Sequence, residues 1–388
     1  MTGGEGILSD LLARSHRVSP RDLPMLIDEA GRRLGLSSAR LYVPDLQQVH
    51  LIALPYPARQ DTPALEIDDS VAGLAYRTQR IQRARDGCTA WLPLIDGIER
   101  LGVMVITAPE LDPYLLESCT ALAGLTALLV ASKATYSDLL VARERSRAMT
   151  IQAELLWSYL PPRAIGTDQV TSSAALEPAY DIGGDAFDHN LTENVLHLAL
   201  LDAMGHDLAS GGSSAAALAA CRATRRDGGT LTDIATTIDR TLDLWIPGRL
   251  LTAVIANVDI SSGWFTWVNC GHPPPLLLRD DAVLPHALER TPQPPLALGF
   301  HSDTPPTQHR VRLQPGDRIL LYTDGVTEAR AANGDLFGEE RLADTVIRSM
   351  AAGHNAAEAL RSLVDHLMHY QQGQRRDDAT VMLIEWHP

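Results

Sequence analysis

The chain has 388 residues, long enough for two or three domains, and its 45% hydrophobic and 21% charged content exclude wholesale disorder. A formal net charge of −15 argues against a general nucleic-acid or anionic-membrane surface. Cys88, Cys119, Cys221 and Cys270 are scattered without CxxC pairs, so they read as small apolar residues in a reducing compartment rather than as a disulfide or zinc framework.

Taken from the N-terminus, Met-Thr-Gly-Gly-Glu carries no basic segment leading into an apolar one, so no signal peptide is expected and the cytoplasm is the expected address. Ser19-Pro20 followed by Leu23, Leu26, Ile27, Ala30 and Leu34, with Gly35 after it, predicts a capped helix with a first-turn proline and a glycine stop. Two strands, Ala39 to Val43 and Val49 to Leu54, follow around a turn at Asp45 to Gln48. Then come a short helix at Ser70 to Tyr76 and strands at Thr89 to Ile95 and Leu101 to Ile106, separated by Asp96-Gly97. Helix, two strands, helix, two strands and a long helix is an order that resembles a GAF-like sensory domain, as does the stretch Asp69-Ser-Val-Ala-Gly73-Leu-Ala-Tyr-Arg77. Residues 1–131 are assigned to this α/β sensor, which the resemblance implies would take an unknown small ligand or partner. Cys88, Tyr42, Tyr76 and Trp91 are expected in its core, with the lining of a ligand pocket as the alternative.

Asp112-Pro113 opens a helix that, uninterrupted, runs to Tyr159-Leu160, where Pro161-Pro162 must end it. At 1.5 Å per residue it would be roughly 70 Å long. Its most apolar stretch, Ala121 to Ala131, is too short to cross a bilayer, so no membrane association is expected. Leu122, Leu125, Leu129, Tyr136, Leu139 or Leu140, Met149, Ala153, Leu156 and Leu160 recur at three-four spacing, interrupted by Arg143-Glu-Arg-Ser-Arg147. Such a helix cannot bury its stripe against one small domain. Residues 132–165 are therefore expected to be a helical connector pairing two chains into a homodimer coiled coil, with two ordinary helices joined at Ser132 as the alternative.

Residues 166–388 alternate strands and helices. Strands are predicted at Ala179 to Ile182, Val195 to Leu201, Thr252 to Asp259, Trp264 to Asn269, Pro275 to Leu278, Arg318 to Tyr322 and Thr380 to Trp386. Helices are predicted at Gly211 to Thr224, Leu231 to Leu244 and Ala356 to Tyr370, and a long proline-rich loop at 280–310. Hairpins and flanking helices imply antiparallel sheets, an α+β arrangement.

Three apolar runs in this region border acids: His197 to Leu201 ends at Asp202, Arg318 to Tyr322 leads to Asp324, and Val381 to Ile384 is preceded by Asp377-Asp378. A single Asp at a strand end is ordinarily a turn-maker or cap. Asp185, beside two glycines in Asp181-Ile-Gly-Gly184-Asp185, adds a fourth acid where backbone can approach closely. If these strands share a sheet edge, the carboxylates would repel one another and raise their own pKa values unless a cation intervenes. Hard divalent ions that prefer oxygen, Mg²⁺ or Mn²⁺, suit the donors, and no His/Cys set at zinc spacing competes. The residues thus predict a site for one or two metals at Asp185, Asp202, Asp324 and Asp377 or Asp378.

Gly183-Gly184-Asp185-x-x-Asp188, Asp202-x-x-Gly205-His206, Asn269-Cys-Gly271-His272-Pro273, Thr323-Asp324-Gly325-x-x-Glu328 and Asp377-Asp378-x-Thr380 occur in the order found in SpoIIE-type, RsbU-like serine/threonine phosphatases. Over roughly residues 150–388 the chain resembles this branch of the metal-dependent PPM superfamily. The resemblance implies a C-terminal α-β-β-α sandwich of antiparallel sheets, and Mn²⁺ or Mg²⁺ as cofactor, two ions in all. It implies that Asp202 bridges both ions, that the Ala203 carbonyl contributes to one, and that Asp185, Asp324 and Asp377 complete the shells, with Asp378 the alternative to Asp377. It further implies a phosphorylated STAS-type anti-anti-sigma protein of a partner-switching pathway as substrate.

With net charge −15 such a substrate would approach against the overall field, which makes a local cationic centre more necessary. His206 is a candidate to protonate the leaving oxygen, a hydrogen-bonding role beside the metals being the alternative. His272 is expected to be structural. Asp207 departs from the glycine usual after that histidine, and Gly211-Gly212-Ser213-Ser214 loosens the expected helix start. An extra carboxylate there either adds a metal ligand or hinders an anion, which keeps a non-catalytic sensor scaffold as the rival reading.

Overall fold

The computed structural model describes residues 3–56, 62–291, 293–372 and 377–387. The chain divides into two compact units, Met1–Ala148 and Met149–Pro388.

In the first unit, α1 (Gly3–Ser15) and α2 (Leu23–Leu34) precede β1 (Ser38–Pro44), β2 (His50–Ala53) and β3 (Leu65–Glu66). Then come α3 (Val71–Thr78), β4 (Gln82–Arg83), β5 (Thr89–Asp96), β6 (Glu99–Thr107), α4 (Pro113–Ala134) and α5 (Asp138–Glu144). The strands form one antiparallel sheet in the order β3-β2-β1-β6-β5-β4. Strand alternation divides its residues. Leu41, Val43, Met104 and Ile106 face the core shared with α1, α2 and α4, while Tyr42, Val103 and Tyr76 of α3 form a second cluster. The stop of α2 falls at Gly35, at φ 107°, as its sequence predicts. Tyr42 and Tyr76 are core residues and Trp91 packs against them. Cys88 instead sits at a turn, its thiol on the carbonyls of Asp86 and Pro109.

The single long connector helix is not formed. Helix α4 ends at Ala134, α5 is capped by the Ser137 hydroxyl, and a third helix, α6 (Ile151–Tyr159), is capped by Thr150. Each side-chain cap satisfies amide donors that a continuous helix would have used internally, so Ser137 and Thr150 start new helices. Part of the stripe expected to pair two copies is buried within each unit, while its Tyr136 is 65% exposed. Cys119, Leu122, Ala123, Ala127, Leu129 and Val130 lie in the first unit's core, and Ala153 and Leu156 in the second's. The apolar stretch at 121–131 also proves to be part of a 22-residue helix that is long and apolar enough to cross a membrane by length and composition. One face of it packs into the first unit's core, where Lys133, 4% exposed, donates to the carbonyls of Ser15 and Val18.

The second unit continues from α6 with β7 (Ala164–Gly166), β8 (Val170–Glu177), β9 (Asp185–Leu191), β10 (Val195–Ala203), α7 (Leu208–Arg226) and α8 (Leu231–Trp245). After these come β11 (Leu251–Asp259), β12 (Trp264–Cys270), β13 (Leu276–Arg279), β14 (Ala282–Val283), β15 (His309–Arg312), β16 (Arg318–Tyr322), α9 (Asp324–Thr327), α10 (Gly338–Ala351), α11 (Ala356–Tyr370) and β17 (Ala379–Trp386). Two antiparallel sheets result, β15-β12-β11-β10-β9 and β14-β13-β16-β17-β8-β7. Ile319, Leu321, Met382 and Ile384 join the core with the first sheet and its helices α7 and α8. Their neighbours Leu320, Tyr322, Val381 and Leu383 pack under α10 and α11. Helix, sheet, sheet, helix is the layering expected for this region.

Local expectations fail at two places. The predicted strand at 179–182 is a turn, in which the Tyr180 and Ala179 carbonyls accept from Thr150 N–H and Trp157 Nε1–H; helix α6 thus takes the groups a strand partner would have used. Helix α7 begins before Gly211, because Asp207 caps it through the Ser210 amide. The proline-rich loop at 280–310 carries β14, a 3₁₀ turn at Phe300–Ser302 and a bridge from Leu296 to Leu251, and Pro292 lies outside the described residues.

Candidate metal centre

The acids converge. Asp185 opens β9 and Asp202 closes β10, and the two are direct partners across the antiparallel pair, so their side chains share a face. Asp324 opens α9 at the end of β16, and Asp377-Asp378 enters β17, the strand paired with β16. Asp185 and Asp378 are 2% and 6% exposed. Asp324 and Asp377 lie at the rim, and Asp202 is half-buried between.

Each inner acid is fixed by specific donors. Asp185 Oδ2 accepts from Thr323 Oγ1 at 2.7 Å and Thr380 Oγ1 at 2.6 Å, and Thr323 Oγ1 in turn accepts from the Thr380 amide. Asp378 Oδ2 accepts from three successive backbone amides, those of Gly183 (2.8 Å), Gly184 (2.7 Å) and Asp185 (3.2 Å). The second sheet thereby holds the start of β9 in the first. Close backbone approach demands glycine at two points. A Cβ on Gly184 would stand 2.2 Å from the Ala203 carbonyl oxygen, and one on Gly325 would stand 1.8 Å from that of Asp378.

No basic side chain bonds to the cluster among the described residues. Burial, then the charges of Asp202 and Asp378, push Asp185 far above the usual carboxylate range, more than the two threonine bonds pull it down. Burial together with Asp324, Asp377 and Asp378 raises Asp202 to about 7. Asp324 is raised by burial, Asp377 and Glu328, and Asp378 by burial in excess of its three amide bonds. Oxygen donors that repel one another in this way fit a hard divalent cation, which removes the repulsion it is drawn by. Among the described residues no three acidic, histidine or cysteine side chains already stand at metal-binding spacing. The fit therefore rests on the donor chemistry, with Asp202 the acid whose carboxylate takes no hydrogen bond from the described residues.

The other motif residues sort by their contacts. Asp188, despite burial, is held below the usual range by Arg222 and Arg225, at 2.7 Å each, and is a brace between β9 and α7. Buried His272 shares a hydrogen bond with the Thr252 hydroxyl at 2.7 Å and one with the Tyr322 carbonyl at 3.0 Å. Burial lowers it to about 4, so it is a neutral strut behind Asp324. His206 is exposed on the turn after Ala203, its carbonyl accepting from Gln152 Nε2. Asp207 is not a free repulsive charge. It caps α7 and pairs with Arg249 at 2.7 Å, the arginine and the cap holding its carboxyl well below the usual range.

Sequence reasoning passed over the residues that orient the acids: Thr323 and Thr380, Ser214, whose hydroxyl donates to the Gly184 carbonyl, and Arg249. The threonines stood inside the quoted motifs, each within two residues of an acid, which was their one local signal.

Comparison with known proteins places this region. The family model described as Stage II sporulation protein E (SpoIIE) matches residues 192–387, just over half of the chain. Phosphoserine phosphatase RsbU of Bacillus subtilis (strain 168) is 24% identical over 238 residues, 61% of this chain and 68% of its own length. Protein IcfG of Synechocystis sp. is 28% identical over 133 residues, 34% of this chain but 20% of its own length, so the chain spans only a fifth of that relative. Among solved structures, the RsbU and RsbW domains of Rv1364c from Mycobacterium tuberculosis align at 24% identity and a TM-score of 0.47, covering 58% of this chain and 62% of that one. With the family model spanning β10 to β17 and every acid of the cluster except Asp185, the chain belongs to the SpoIIE family.

Proposed function

We propose that the chain is a divalent-metal-dependent phosphoprotein phosphatase acting on phosphoserine or phosphothreonine. The observation that carries this reading is the convergence of Asp185, Asp202, Asp324, Asp377 and Asp378 without a basic partner among the described residues, a set whose mutual repulsion calls for cations. Similarity to a protein named a phosphoserine phosphatase supports the substrate class.

In this reading Asp202, which faces the other acids and has no hydrogen-bond donor among the described residues, would hold the ions together with Asp185, Asp324, Asp377 and the Ala203 carbonyl. When bound, Mn²⁺ or Mg²⁺ neutralises phosphoryl oxygens and lowers the pKa of water into the range of a nucleophile. The chain's own residues set the geometry. Thr323 and Thr380 fix the direction of Asp185, and Asp378 holds the amides of residues 183–185 instead of acting as the principal ligand. His206, exposed beside Ala203, is the group that would hand a proton to the leaving serine or threonine oxygen. The substrate is a small phosphorylated STAS-type partner-switching protein, and the first unit is a GAF-like sensor that regulates the second. The scaffold alternative loses its motive, since Asp207 is engaged by Arg249.

Hydrolysis of p-nitrophenyl phosphate and of a phosphorylated STAS protein, each with and without Mn²⁺, tests the reading. Turnover is expected only with the metal and is expected to vanish in Asp202→Asn. Metal-independent turnover, or full activity in that variant, would refute it, and turnover of small phosphorylated metabolites but not of phosphoprotein would reassign the substrate.

A further inference from the structure

The turn Met204-Gly205-His206-Asp207 leaves Asp202 and Ala203 directly, and the Met204 amide donates to the Leu250 carbonyl, which brings Arg249 beside it. Asp207 divides its two oxygens. Oδ1 accepts from the amide and hydroxyl of Ser210 and so caps α7, while Oδ2 accepts from Arg249 Nη2 at 2.7 Å. Arg249 Nη1 makes only long contacts, 3.4 Å to the Met204 carbonyl and 3.4 Å to Ser210 Oγ. Gly205 sits under the guanidinium, since a Cβ there would lie 3.2 Å from Nη1.

An arginine carries five N–H donors in a planar fork. Three contacts leave two donors, Nε–H among them, without an acceptor among the described residues, on a side chain that is 28% exposed. The result is a permanently charged group held in place by Asp207, with spare donors, set two residues from the Leu251 that pairs with Ala203. A phosphomonoester dianion reaching this edge meets five carboxylates on a chain of net charge −15. Arg249 pairs with Asp207, the carboxylate five residues after Asp202, and still has donors to offer.

We propose that Arg249 is the residue that takes a non-reacting phosphoryl oxygen of the substrate, a phosphomonoester dianion, and that Asp207 is the positioning residue that fixes its direction. The proposal rests on the phosphatase reading for its substrate, but phosphate binding can be measured without turnover. A lysine is a point charge that cannot hold Asp207 and a phosphate in one fixed plane, so Arg249→Lys is only a partial replacement. Asp207→Asn keeps a good helix cap while removing the ion pair.

The experiment uses the full chain loaded with Mn²⁺, with inorganic phosphate as the calorimetric probe and a phosphoserine protein as the kinetic one. Arg249→Ala is expected to weaken phosphate at least tenfold and to raise KM at least tenfold, with the Mn²⁺ isotherm within twofold of the parent. Arg249→Lys recovers part of that loss, and Asp207→Asn weakens phosphate threefold or more. Phosphate binding within twofold of the parent in Arg249→Ala overturns the proposal. So does a parallel loss of Mn²⁺ binding that Arg249→Lys fails to restore, which would make Arg249 a support of the turn. Unchanged or tighter phosphate binding in Asp207→Asn removes Asp207 from it. A parent protein that binds phosphate through Arg249 but hydrolyses nothing sinks the phosphatase reading alone. A parent that turns over normally while Arg249→Ala binds phosphate as before sinks this inference alone.

Discussion

The two units bury charge by different rules. In the first, buried Asp28 accepts from the Ala39 amide, the Tyr56 hydroxyl and Arg32, and these outweigh burial to hold it below the usual range. Lys133 is matched there by two carbonyls. The second unit follows the same practice at Asp188, paired with two arginines, and at Asp317, paired with Arg279 at 2.7 Å. At the sheet edge it does the opposite, gathering five carboxylates, of which Asp185, Asp202, Asp324 and Asp378 are pushed upward by burial and by neighbouring carboxylates. A fold keeps uncompensated like charges only where a further component compensates them, and that contrast locates the chemistry.

The comparison breaks most sharply at Asp202. Asp202→Asn is expected to abolish metal-dependent turnover by at least about a thousandfold, about 4 kcal/mol at the constant of roughly 1.4 kcal/mol per decade. The same substitution should stabilise the metal-free protein. With a folded pKa raised to about 7 against an ordinary aspartate value of 3.8, Asp202 imposes no penalty below about pH 4, where it is protonated in both states. The penalty grows as pH rises and is complete above about pH 7, reaching about 4 kcal/mol. Melting temperatures from pH 4 to 8 should therefore diverge with pH, the variant above the parent, and Mn²⁺ should close the gap by raising the parent. A constant offset across that range would contradict the assignment.

Gly325→Ala comes next. Its Cβ would collide with the Asp378 carbonyl, at an expected cost of about 1–3 kcal/mol from overpacking, with weaker Mn²⁺ binding seen by calorimetry. Thr380→Val removes one of the two hydroxyls on Asp185, and metal affinity should fall about 10–100-fold, as for other groups that orient a ligand. The smallest effect is expected in the first unit. Asp28→Asn should lower stability by about 1–2 kcal/mol in denaturant melts and leave the Mn²⁺ response untouched, because its charge is already paired. A change in Mn²⁺ affinity there would blur the division between the two regions.

How much was legible in the sequence follows the range of the interactions. Strands β10, β16 and β17 were readable from their apolar runs, β11 and β12 as a hairpin around Ser261-Ser-Gly263, and α2 because Ser19, Pro20 and Gly35 punctuate it. Strands β8 and β9 and helix α10 were not assigned. Strand β9, Asp-Ala-Phe-Asp-His-Asn-Leu, alternates poorly because Asp188 is buried on two arginines that lie more than 30 residues away in α7. The unbroken connector failed for the opposite reason. Its period was sound, but local caps at Ser137 and Thr150 outcompeted helix continuation.

By itself the sequence determined the five acids, the glycines beside them and the layering that hairpins and amphipathic helices impose, because these depend on residue type and short-range periodicity. Only the tertiary structure decided what each acid does. Whether a carboxylate is braced by arginine like Asp188, capped and paired like Asp207, tied to amides like Asp378 or left facing its own kind like Asp202 depends on partners remote in the chain. Those partners become neighbours only when two sheets close on each other, and burial among them then sets the charge.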